Sequence, residues 1–83
     1  MSAKVVLYAL STCGWCKKTK RFLEENGIDY EGIDVDLLEG DKKEEIRREV
    51  ARYNPRRSFP TLVVGDTVVV GFDERRFKEA LEI

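Results

Sequence analysis

Histidine is absent from this chain, and cysteine, proline, methionine and tryptophan are sparse, at two, two, one and one in 83 residues. Without histidine there is no side chain that ordinarily titrates near neutral pH, so imidazole base catalysis is excluded. Two cysteines are too few to staple a small secreted scaffold, and the expected setting is a reducing cytoplasm. Long apolar runs are missing too. Val5 to Leu10, six residues near the N-terminus, is too short for a signal-peptide core or a membrane span. The charge balance is −1 with 37% of residues charged, so neither a nucleic-acid footprint nor an acidic tail is present. The length of 83 residues fits one domain, 1–83, with no repeat, linker or low-complexity segment, and a monomer is expected.

What the chain does have is Ser11-Thr12-Cys13-Gly14-Trp15-Cys16-Lys17-Lys18, where an apolar run stops and a helical pattern starts. Cysteines three apart lie nearly on one helix face, so their sulfurs are able to close into a small disulfide ring. Cys13 is expected at the first helical position, where free N–H groups and the positive end of the macrodipole favour a thiolate. Lys17, Lys18, Lys20 and Arg21 crowd the front of this helix while Glu24 and Glu25 lie near its end. That is the reverse of what the dipole prefers, and it adds positive potential around Cys13, with Lys17 and Lys18 nearest. The competing reading of the same lysines is a solvated surface.

Taken in order, Lys4 to Leu10 is β-rich without alternation, as in a central strand covered on both faces. The helix from Cys13 to Asn26 should place Trp15, Cys16, Thr19, Phe22, Leu23 and Asn26 on one stripe, with Gly27 as left-handed cap. Ile28 to Val35 then makes a second strand entered directly from the helix, parallel to the first. Asp41-Lys42-Lys43-Glu44 resembles a capping box opening a second helix, with Ile46, Val50 and Tyr53 inward, a Glu44–Arg48 pair outward and Asn54-Pro55 as its stop. This helix reads as structural. Phe59 to Val64 is a third strand entered through Pro60, Gly65-Asp66 a two-residue hairpin, and Thr67 to Val70 the antiparallel return. Asp73 caps a last helix with Phe77, Ala80 and Leu81 inward, and Phe72 and Phe77 form a hydrophobic staple. The order βαβαββα gives an α/β protein with a four-stranded mixed sheet flanked by helices, the thioredoxin-type fold.

Over nearly its whole length the sequence resembles the glutaredoxin family. The resemblance is carried in register by Cys13-Gly14-Trp15-Cys16, Tyr30 to Asp36, Ser58-Phe59-Pro60-Thr61 and Val70-Gly71-Phe72-Asp73-Glu74. It is similar above all to small glutaredoxin-like redoxins, including those that serve ribonucleotide reductase. The resemblance implies that Cys13 is the attacking thiolate and Cys16 the resolving thiol. It implies that Pro60 is cis, with the Phe59 backbone turned outward to pair with glutathione or a substrate segment. Thr12, Trp15, Gly71, Phe72 and Asp73 would shape the remaining groove, the last helix receiving a carboxylate at its N-terminus. Trp15 is expected to be partly exposed over the site.

Three positions depart from the family pattern: Gly14-Trp15 replaces the common Pro-Tyr, Leu10 stands where many members carry a glutathione-gripping lysine, and Val70-Gly71 replaces paired glycines. Arg56 and Arg57 are candidates to replace the missing cation. The implied activity is dithiol–disulfide exchange on disulfide-containing proteins or small disulfides, without a bound cofactor or metal. Electrons would come from glutathione, another small thiol, or a donor like thioredoxin reductase. A rival reading is a metal or [2Fe–2S] carrier. Two cysteines supply half of a tetrahedral site, so that reading requires a dimer or added thiols. A third is a redox-dead peptide-binding module, against which the intact cysteine pair counts.

Overall fold

The computed structural model describes residues 4–83. Its strands are β1 (Val5–Ala9), β2 (Glu31–Asp34), β3 (Thr61–Val64) and β4 (Thr67–Val70), and its helices α1 (Gly14–Glu25), α2 (Gly40–Tyr53) and α3 (Glu74–Leu81). The four strands form one sheet in the order β2-β1-β3-β4, parallel between β1 and β2 and antiparallel elsewhere.

The unbroken apolar runs explain that order. Along β1, Val5, Leu7 and Ala9 join Leu62, Val64, Val69, Phe22, Leu23 and Phe77 in the core beneath α1 and α3. Tyr8, on the other face, joins Val63, Val35, Ile46 and Val50 beneath α2. A strand buried on both sides has no face to make polar, which is why alternation is missing from β1 and β3. The Tyr8 hydroxyl is satisfied by donating to Glu49 Oε1 at 2.7 Å; burial and this carboxylate push the phenol well above its usual range.

Several boundaries differ from the sequence expectation. Cys13 is the N-cap of α1 and not its first residue. The second strand starts only at Glu31: Ile28 N–H bonds to Leu23 O at 2.9 Å and Gly27 N–H to Glu24 O at 3.1 Å, so the chain completes a Schellman turn at Gly27 (φ 66) before it extends. Helix α2 is not capped by Asp41. The helix starts two residues earlier than that cap implies, at Gly40, where glycine takes φ 59 without side-chain strain, behind Glu39, whose side chain makes no cap bond. Glu44 and Arg48 form no ion pair among the described residues. Trp15, 57% exposed, and Asn26 lie off the buried stripe of α1, which consists of Cys16, Thr19, Phe22 and Leu23. Tyr53 is 40% exposed but lies against the Tyr8 ring at 6.2 Å.

The hairpin at Gly65-Asp66 and the cap at Asp73 match the sequence reading. Gly65 has φ 58, and Asp73 accepts a hydrogen bond from Arg76 N–H at 3.2 Å. The Phe72 and Phe77 rings meet edge to face at 5.6 Å. No described helix is long and apolar enough to cross a membrane.

Candidate active site

Three chain ends converge at one rim of the sheet. Tyr8 near the end of β1 is opposite Thr61 at the start of β3, and Thr61 is opposite Val70 at the end of β4. The segments that leave or enter there are Leu10–Cys13, Phe59-Pro60 and Gly71–Asp73. One polar link joins the second and third of these, and another steadies the chain on either side of Phe59-Pro60. Gly71 N–H bonds to Pro60 O at 2.8 Å, with Gly71 at φ 83, a value that excludes most side chains. Asn54, 3% exposed, donates through its amide to Ser58 O, Ser58 Oγ and Thr61 Oγ1. The Phe59-Pro60 peptide between these links is cis.

At the centre of this rim Cys13 N–H closes a turn onto Leu10 O at 3.1 Å. Cys13 Sγ accepts from Cys16 N–H at 3.2 Å, so a sulfur takes the position of a helix-capping oxygen. Cys13 is half-buried and Cys16 is fully buried, both as free thiols. The Cys16 thiol is pushed up to about 12, first by burial and then by its hydrogen bond with Cys13, while backbone hydrogen bonding from Leu10 and the charge of Lys20 pull it back. One sulfur therefore lies half-buried at the helix cap, accepting the Cys16 N–H, and the other waits behind it as a neutral thiol.

The cations at the front of α1 have distinct surroundings. Lys18 Nζ lies 4.6 Å above the Trp15 ring, and Lys20 Nζ is paired with Asp34 at 2.9 Å. Lys17 is exposed. Trp15 in turn packs at 5.6 Å on Phe72, so an aromatic wall spans from α1 to the turn before α3. Thr12 and Asp73 are exposed, and Cys13, Phe59 and Phe72 lean on the same buried cluster that contains Cys16.

On the Phe59 side is a cleft of about 290 Å³ lined by Leu10, Asp36, Lys43, Arg47, Arg57 and Phe59 among others. Three of these are cations. Arg57 is in it with φ 52, an uncommon value for a residue other than glycine, whereas Arg56 does not line it. The helix that reads from sequence as purely structural thus contributes Lys43 and Arg47 to the rim. Among the described residues no three or more His, Cys, Asp or Glu side chains are grouped to hold a metal ion.

Asp36, given no role by the sequence reading beyond its place in the Tyr30 to Asp36 match, fastens the cysteine turn from across the fold. Its carboxylate accepts Ser11 N–H at 2.8 Å and Ser11 Oγ, and these bonds hold its pKa below the usual carboxylate range. A carboxyl depressed in the folded protein holds its partner above the ordinary carboxylate pKa and releases it as pH falls through the lowered value. The Ser11 amide should therefore be protected from hydrogen exchange at neutral pH and lose that protection in acid. Asp36→Ala should lose it at every pH, and equal protection in that variant would show that the turn holds itself.

A dithiol at the rim of a mixed sheet, with helices on both faces and a cis-proline beside it, defines the thioredoxin-like fold class. Within that class the glutaredoxin family model matches residues 5–69, and the chain belongs to the glutaredoxin family. Methanoredoxin of Methanosarcina acetivorans is 46% identical with a TM-score of 0.94, covering 99% of this chain and 87% of that one. A glutaredoxin from Archaeoglobus fulgidus is 38% identical with a TM-score of 0.92, covering 98% and 88%. A glutaredoxin-like 8.6 kDa protein of the Clostridium pasteurianum rubredoxin operon is 31% identical over 78 residues, 94% of this chain and 97% of its own length.

Proposed function

We propose that this protein is a dithiol–disulfide oxidoreductase in which Cys13 is the nucleophile and Cys16 resolves the mixed disulfide. The observation that carries the reading is the cap itself: Cys13 Sγ accepts the Cys16 N–H at 3.2 Å while the Cys16 side chain is buried behind it. In the reaction, Cys13 thiolate attacks one sulfur of a substrate disulfide and expels the other as a thiolate. Cys16 loses its proton and attacks Cys13 Sγ; the internal disulfide forms, the mixed one breaks, and two electrons have passed to the substrate. Lys17 and Lys18 add positive potential at the mouth of the site. Phe59-Pro60 and Gly71-Phe72-Asp73 flank the sulfur as two walls for an extended substrate segment, and Thr12 and Trp15 form its outer lip. Acceptors in this reading are cytoplasmic disulfide proteins, ribonucleotide reductase among them.

For the electron donor we propose a small anionic thiol of the glutathione kind. With Leu10 in place of a lysine, support comes from Lys43, Arg47 and Arg57 around the adjoining cleft, where an unpaired carboxylate or similar anion finds charge-assisted donors. Turnover of a low-molecular-weight disulfide should be faster with glutathione than with an uncharged thiol, and should fall with salt. Arg47→Glu and Arg57→Glu should each weaken glutathione use about tenfold while sparing the uncharged thiol. Turnover supported by thioredoxin reductase and not by glutathione would assign the protein to reductase-driven redoxins instead.

A further inference from the structure

Resolution of the mixed disulfide requires Cys16 to carry a negative charge in a place that disfavours one. Cys16 has no exposed surface, the chain has no histidine, and Cys13, whose sulfur accepts the Cys16 N–H, contributes only a second sulfur. The cation one turn further along α1 is Lys20, four residues on from Cys16, and i,i+4 side chains on a helix are neighbours. Lys20 is itself drawn in from solvent: its side chain is 29% exposed and its Nζ is 2.9 Å from Asp34 Oδ1, whose side chain is 27% exposed. A lysine aimed outward would serve solubility, but this one is held along the helix flank by a strand residue 14 positions away.

We propose that Lys20 is the cation that stabilises the Cys16 sulfur anion as it attacks the mixed disulfide, and that Asp34 sets how much of that charge Cys16 feels. This rests on the oxidoreductase reading above and concerns only its second step. Atoms balance without an added base. The Cys16 proton leaves to solvent or to the departing thiolate, Lys20 stays protonated throughout, and the sulfur–sulfur bond forms between Cys16 and Cys13 as the substrate sulfur leaves with the electron pair. The titratable and charged groups facing Cys16 and Lys20 are Cys13 at the cap of α1, Tyr30 before β2 and Asp34 on β2; Glu24 on α1 in turn faces Tyr30. Cys13 raises the Cys16 pKa and Lys20 lowers it. Asp34 raises the pKa of Lys20 and so keeps it charged, while its own negative charge tempers the field at the sulfur. Removing one member of the pair therefore has the opposite effect on Cys16 from removing the other.

The test is single-turnover oxidation of the reduced protein by an aromatic nitrobenzoate disulfide, which releases its coloured thiolate in two bursts. The first burst scales with disulfide concentration and reports attack by Cys13; the second does not, and reports resolution by Cys16. Lys20→Met should raise the pH midpoint of the second burst by about one unit, as expected for loss of a partly screened charge at one-turn distance. Near neutral pH the second burst should slow about three- to tenfold more than the first, because greater nucleophilicity of the more basic sulfur offsets part of the lost thiolate. Lys20→Arg should restore it, and Asp34→Asn should not raise the midpoint and is expected to lower it. An unmoved midpoint in Lys20→Met, or an upward shift shared by Lys20→Met and Asp34→Asn, would overturn the assignment and leave the pair a structural tie. A parent protein that gives no first burst would instead overturn the oxidoreductase reading itself.

Discussion

Cys13→Ser is expected to reduce turnover of any disulfide to the uncatalysed background, whereas Cys16→Ser should still react once and then accumulate as a mixed disulfide. The asymmetry follows from burial. Serine at position 13 keeps the cap geometry, since a hydroxyl accepts the Cys16 N–H at least as well as a sulfur does, but its oxygen is not ionised near neutral pH and cannot bond to a disulfide sulfur in a stable way. Folding should survive, so the loss is chemical. Serine at position 16 leaves the outward sulfur intact and removes the internal attacker, so the first sulfur–sulfur exchange proceeds and the second does not. Mass spectrometry of Cys16→Ser after exposure to a small disulfide should show one adduct on Cys13, removable by excess reductant. A Cys13→Ser protein that reduced insulin or hydroxyethyl disulfide at the parent rate would refute the role given to Cys13. So would an adduct found on Cys16 of the parent.

Local features of this site were legible in the chain, and those made by distant partners were not. Cys13 and Cys16 are read from spacing, Gly65-Asp66 from turn chemistry, the central place of β1 from its unbroken apolar run, and the cis state of Pro60 from family resemblance. Each is either local or copied by a motif. The long-range polar links escaped. Asp36 gives no sign in sequence that its carboxylate will meet Ser11, 25 residues earlier, because such a bond exists only once β2 lies beside β1. Asn54 looked like a helix stop and is also the buried hub that orders the turn before Pro60, a role fixed by Ser58 and Thr61 arriving around it. Lys43 and Arg47 had the pattern of a solvated helix face, and only the packing of α2 over the sheet sets them beside Phe59. Trp15 carried two readings: helical spacing suggested the core stripe, which fails, while the expected partial exposure holds at 57%, with Phe72 as the ring's partner at the surface.

That aromatic arrangement makes Phe77 the position where a single truncation should cost most. Helix α3 has eight residues, too short to persist without docking, and Phe77 is its one fully buried side chain. The ring lies 5.6 Å from Phe22 on α1 and 5.6 Å from Phe72 in the turn, so it joins the last helix to the helix that Cys13 caps and Cys16 lies on. Phe77→Ala should cost about 3–5 kcal/mol, the usual range for emptying a buried phenylalanine site. That is a large part of the roughly 5–15 kcal/mol available to a domain of ordinary stability, and would lower the melting temperature by about 15–30 °C. Phe72→Ala, whose ring is half-buried and carries Trp15, should cost less in stability but loosen the outer wall, so substrate KM should rise more than kcat falls. Denaturant unfolding of both variants, beside Michaelis constants for a peptide disulfide, separates the two effects. A loss below about 1 kcal/mol for Phe77→Ala, within the range of ordinary substitutions, would mean that α3 is held by its cap and backbone and not by this ring.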